Sequence, residues 1–125
     1  MTRVNPVLSR LSIVVLVVAS FSLAVACGGG ASPEQVAAGQ KVFLTTCATC
    51  HGKDAKGLPK LGKNLHSNEF VQSKSDDELV AFVQHGRPVD DPLNTTHVAM
   101  PPKGGNPALT DDDIKHVVAF VRTLQ

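Results

Sequence analysis

The sequence predicts an all-α domain of three to five helices joined by long ordered loops. Three observations carry that expectation. Capped segments show apolar residues at three-to-four spacing, no run alternates apolar and polar residues as a strand would, and Arg87 to Pro107 holds five prolines with no helical period.

The N-terminal element comes first. Residues 1–10 carry Arg3 and Arg10 and no acid, and Leu11 to Ala26 is an apolar run broken only by Ser12, Ser20 and Ser22. As a helix this run would span about 24 Å, short of the ~30 Å hydrocarbon core. With its small-residue exit Ala24-Val25-Ala26 it reads as a secretory signal peptide, residues 1–26, removed from the mature protein. The stretch "SLAVAC" resembles a bacterial lipoprotein signal, although Ala24 stands where a Leu is usual. On that resemblance Cys27 is the lipidated N-terminus, with ordinary cleavage and an uncleaved anchor as the alternatives. Residues 27–32, with "GGGA" at their centre, form a flexible tether. The protein is therefore expected outside the cytoplasm, in the periplasm or lipid-anchored at the outer face of the cytoplasmic membrane.

Residues 33–125 remain for one domain. Of the chain's five Phe, four fall in this domain, and with no Trp or Tyr they leave its core thin; a chain of this size usually recruits disulfides, a metal or a cofactor. Charge excludes a nucleic-acid binder, because removing the two leader arginines from twelve bases leaves ten against eleven acids. The bases are bunched: Lys53, Lys56, Lys60 and Lys63 have only Asp54 among them. They form either a solvated loop or a docking rim around a redox site.

Ser32 opens the first helix as N-cap, with Pro33 at the first helical position and Gln35 completing a capping box. Val36, Gly39, Val42 and Phe43 share one face as the helix runs into Cys47. Residues 52–66, rich in Gly and Lys, read as a loop. Ser75 and Glu78 form a second box for a helix with Leu79, Phe82 and Val83 that stops at Gly86. Thr110 caps the last helix, whose first turn holds Asp111, Asp112 and Asp113, where acids suit the macrodipole. Its apolar side is Ile114, Val117, Val118, Val121 and Leu124, with Phe120 on the flank.

The chemistry sits in "CATCH", Cys47 to His51. Cys-x-x-Cys-His admits a redox dithiol, half of a zinc site or the attachment point of a c-type haem. Zinc wants four N/S ligands, usually as paired clusters, and no second Cys-x-x-Cys or spaced His pair occurs. A thioredoxin-like dithiol is commonly built on a strand and helix, and no strand is visible. Haem c needs two thiols to add across two vinyl groups and an adjacent His to ligate the iron. It would also fill the small core. Met100, the sole methionine besides the initiator, precedes Pro101 and Pro102, which stiffen its approach. A lone Met usually fills a core gap, but this one lies far from any apolar stripe, and thioether plus imidazole is a known pair of haem-iron ligands. His97, three residues earlier, is a rival ligand.

From Pro33 onward the chain resembles the class I monohaem cytochrome c family. The residues that carry the resemblance are Gly39 and Phe43, then Cys47, Cys50 and His51, "LGKNLH" at 61–66, "MPP" at 100–102 and "VVAFVRTL" in the last helix. The resemblance implies one covalently attached haem c, held by Cys47 and Cys50, with His51 and Met100 as axial iron ligands. It also implies that the first and last helices cross at Gly39, with Phe43 against Phe120. Two features depart from the family. Lys63 stands where a Pro often supplies the carbonyl that accepts from the axial His, so either the Lys63 carbonyl takes that part or the loop settles differently. The Trp or Tyr that often reaches a haem propionate is absent, and Arg87, Asn64, His85 and Asn94 are the candidate replacements.

The expected function is transfer of one electron at a time between respiratory or related redox partners outside the cytoplasmic membrane, among them membrane-integral oxidase or reductase complexes. The protein is expected to be a carrier, not an enzyme, and a monomer unless part of a complex. The alternative is a haem subunit, or a sensor or enzyme whose Met100 leaves the iron to admit peroxide or a diatomic gas.

Overall fold

The computed structural model describes residues 30–125; the expected signal peptide, residues 1–26, and the expected lipid-bearing Cys27 lie outside the described residues. Helix α1, Pro33–Val42, begins as its sequence requires: the Ser32 hydroxyl accepts from the Gln35 N–H at 3.2 Å, and the Gln35 side chain accepts from the Ser32 N–H at 2.8 Å. It runs into a π-helical turn, Phe43–Cys47, and ends in a short turn α2, Ala48–His51. The π turn was not foreseen. One residue inserted into the helical ladder turns everything beyond it by about 100°. Phe43, at its start, is fully buried, and Cys47, at its end, and Cys50, beyond it, line the cavity described below.

Helix α3, Glu69–Ser73, is short and capped by Asn68, whose Oδ1 accepts from the Val71 N–H at 3.2 Å. Helix α4, Asp76–His85, carries the Ser75/Glu78 box and stops at Gly86, whose φ of 74° suits a residue without Cβ. After a long loop with one 3₁₀ turn, Pro102–Gly105, helix α5, Asp111–Arg122, starts from a Thr110/Asp113 box. Among the described residues there is no strand, and pairing is limited to isolated bridges, Leu58 with Gly62 and Arg87 with Met100. No helix of the described residues is long and apolar enough to cross a membrane.

Helices α1 and α5 cross at Gly39. A Cβ there would stand 1.8 Å from the His116 carbonyl oxygen, so only glycine permits the approach. One turn on, the Phe43 and Phe120 rings meet at 5.3 Å, tilted by 51°. Val71, Leu79, Val117, Val118 and Val121 form the main core, drawn from α3, α4 and α5, while Phe43, Ala48 and Ala55 form a second cluster. Cys47, Leu65 and Phe120 touch both. Leu124 is only partly buried, against the second cluster. Arg122 ties α5 to its neighbours: its guanidinium donates to the Val71 carbonyl at 2.7 Å and to the Asp76 carboxylate at 2.7 Å.

Candidate functional site

Between the end of α1–α2, the 52–66 loop, α4 and the 87–107 loop lies a cavity of about 390 Å³. Its walls include Cys47, Cys50 and His51 on one side and Met100 with Ala99 and Pro101 on the other. Val71, Leu79, Val117 and Val121 close it with apolar surface. The cavity thus brings together all four residues predicted to hold the cofactor.

The CATCH segment is held by backbone contact. Gly62 lies so close that a Cβ there would meet the Cys50 carbonyl at 2.1 Å. His51 Nδ1 donates to the Lys63 carbonyl at 2.9 Å, the first of the two alternatives left open by the missing proline. A main-chain carbonyl does not depend on which residue supplies it. Donation from Nδ1 fixes the tautomer and leaves the Nε2 lone pair free for a metal. The Cys47 thiol is pushed up to about 11, by burial first and then by the neighbouring Cys50. A dithiol that exchanges disulfides needs its thiolate stabilised, and this environment does the reverse. No cluster of three or more His, Cys, Asp or Glu able to hold a metal ion occurs among the described residues. The donor set, two thiols, an oriented imidazole and a thioether around an apolar space, fits a haem attached through Cys47 and Cys50.

Of the four candidates for a propionate, only Arg87 keeps an available donor in the cavity. Its guanidinium is stacked on Phe70 at 4.6 Å and Phe82 at 4.9 Å, and its buried Nε has no hydrogen-bond partner, with the Asp91 carboxylate 3.5 Å away. Asn94 also lines the cavity but is a correction to expectation. Its two N–H donors are spent on the Pro88 and Val98 carbonyls, each at 2.9 Å. Asn64 and His85 are corrections of another kind, since neither lines the cavity. The Asn64 side chain accepts from the His66 N–H at 2.8 Å, and His85 donates to the Ala81 carbonyl on its own helix at 2.7 Å. His97, the rival ligand, is exposed and lies outside the cavity wall. Phe70 was missed because α3 was missed; Asn68 followed by an acid in a first turn was the available signal.

The site and the helical frame define a class, a small all-α protein built around a tethered haem. Comparison with known proteins gives the same class. The family described as "Cytochrome C oxidase, cbb3-type, subunit III" matches residues 34–121. The cbb3-type cytochrome c oxidase subunit CcoP of Rhodobacter capsulatus is 32% identical over 98 residues, 78% of this chain and 32% of that protein. Subunit FixP of Rhizobium meliloti (strain 1021) is 34% identical over 93 residues, 74% of this chain and 28% of its own length. Cytochrome c-555 of Chlorobaculum thiosulfatiphilum is 33% identical over 85 residues, 68% of this chain and 91% of its own. The chain thus spans about a third of the length of the oxidase subunits and nearly all of the small cytochrome. No solved structure matches. The chain belongs to the cytochrome c family, as a domain of the cbb3-type subunit III group. The family implies one covalently attached haem c, and the residues lining the cavity fit it.

Proposed function

We propose that this domain accepts and donates single electrons outside the cytoplasmic membrane, at the surface of a membrane-bound redox complex of the terminal-oxidase type. The observation that carries the reading is the convergence of Cys47, Cys50, His51 and Met100 on one apolar cavity. The similarity to oxidase subunits supports the choice of partner. When bound, the haem supplies a one-electron couple. The protein residues supply everything else. Cys47 and Cys50 would anchor the group covalently through their sulfurs. His51, oriented by the Lys63 carbonyl, and Met100, on its proline-stiffened loop, would hold the iron. Two protein ligands would leave no place for a substrate, which favours transfer over catalysis, and a thioether ligand with an apolar wall would raise the potential. Export and lipidation at Cys27 place the domain: five residues of tether reach at most about 17 Å, close enough to a bilayer to meet an integral complex.

The test is acid–acetone extraction of one sample of the mature protein and the spectrum of a second, native sample. Haem that stays with the polypeptide, together with low-spin six-coordinate spectra in both redox states, is the expected result. Haem that leaves with the solvent, or loss of covalent attachment failing to follow Cys47→Ala combined with Cys50→Ala, would overturn the reading.

A further inference from the structure

The loop that carries Met100 is closed on itself. At its neck the Met100 N–H donates to the Arg87 carbonyl at 2.9 Å, and the Arg87 N–H donates to the Met100 carbonyl at 2.8 Å. The stacked Arg87 guanidinium fixes this neck to α3 and α4. Inside the loop sits Asn94, 7% exposed and the only buried polar residue among those described. Its Nδ2 donates to the Pro88 carbonyl on the outgoing arm and to the Val98 carbonyl on the returning arm. Its Oδ1 accepts from the Thr96 N–H at 3.2 Å, the Thr96 hydroxyl at 3.0 Å and the His97 N–H at 3.1 Å. Local turns pair Asp91 with Pro88 and Asn94 with Asp91, and the Asn94 amide is what joins the two arms across the loop. No other side chain joins residue 88 to residue 98 among the described hydrogen bonds.

We propose that Asn94 is the positioning residue for Met100: its amide holds the 88–98 loop in the form that turns the Met100 side chain into the cavity, and so sets how readily the sixth ligand leaves. This rests on the His51/Met100 reading above. The Asn94 side chain makes no hydrogen bond to His51 or Met100, and it acts through the two loop arms and the neck they feed. Without the amide the Pro88 carbonyl keeps only a long contact from the Asp91 N–H and the Val98 carbonyl only one from the Thr96 hydroxyl, each at 3.4 Å, so losing its donors should matter more than losing its bulk.

The experiment compares full-length holoprotein carrying Asn94→Asp, Thr96→Val or Met100→Ala with the wild type. Asn94→Asp keeps the shape and the Oδ1 contacts and removes the two donors. It is expected to speed CO association to the reduced protein about tenfold, the equivalent of one net hydrogen bond's worth of looser closure. It should also speed amide exchange at Arg87 and Met100 while leaving Val117 and Val118 in α5 unchanged. Thr96→Val, which removes the hydroxyl's contact to Oδ1 and its bonds with the Val98 backbone, should give a rise in the same direction, and it carries the test if Asn94→Asp does not accumulate. A merely structural role would lower the unfolding midpoint and leave CO association at the wild-type rate, and that result overturns the proposal. If Met100→Ala is as unreactive to CO as the wild type, the ligand reading fails and this inference with it. If Met100→Ala binds CO and the loop variants do not differ from wild type, this inference fails alone.

Discussion

At Gly39 a single methyl group decides whether α1 and α5 can meet. In an exposed helix, Gly→Ala gains about 1 kcal/mol from propensity. Here the new Cβ would sit 1.8 Å from a backbone carbonyl that cannot rotate away, and overpacking of this kind costs about 1–3 kcal/mol. Gly39→Ala should therefore lower the denaturant midpoint of the holoprotein, and an unchanged or raised midpoint would show that the helices can separate without cost. The same residue-level reasoning explains why Lys63 can replace the usual proline. The His51 contact is to a main-chain carbonyl, and the Lys63 ammonium is left to reach across to the Thr95 hydroxyl on the Met100 loop.

The elements show how much of the molecule was legible in the sequence and why some was not. Ser32, Ser75 and Thr110 announced three helices because a capping box is a local device, complete within four residues. The crossing at Gly39 and the Phe43–Phe120 contact followed from the family resemblance. Helix α3 escaped because five residues give no period to read, and the π turn escaped because its register shift is set by packing on both sides of Cys47. Asn94 was misread because a sequence shows its donors but not that Pro88 and Val98 would use them. Two of the caps also predict an acid response. The Ser75 backbone and hydroxyl bonds, with Lys74, hold the Glu78 carboxyl below its ordinary 4.5, and the Thr110 hydroxyl and backbone bonds hold Asp113 below 3.8. A lowered folded-state value means the contribution is present above the unfolded value and lost as pH falls through the folded one. The melting temperature should hold from neutral pH to about pH 5 and fall below about pH 4. Glu78→Gln with Asp113→Asn should flatten that fall, and an equally steep fall in the double variant would assign it to other carboxylates.

For the whole molecule, the proposed function sets a nearly neutral domain beside a membrane complex, with four lysines in the 52–66 loop. Lys53, Lys56, Lys60 and Lys63 are all exposed, and exposed charges are screened beyond about 8 Å at physiological ionic strength. Association with an acidic redox partner should slow as salt rises, and Lys53→Glu with Lys56→Glu should lower the on-rate without touching the haem spectrum. A rate independent of salt in stopped-flow mixing would leave the lysines as a solvated loop. Cys27→Ser should release spectrally intact holoprotein into the soluble fraction, whereas wild-type protein found soluble with an unmodified Cys27 by mass spectrometry would remove the anchor. The claim on which the others depend is that His51 and Met100 fill both axial positions and make the protein a carrier. Met100→Ala tests it most directly, read by optical spectroscopy with CO added to the reduced protein. The account predicts haem still attached through Cys47 and Cys50, loss of the thioether-to-iron absorption, a lower reduction potential and ready CO binding. A wild-type spectrum in Met100→Ala, with the spectral change appearing instead in His97→Ala, would contradict it.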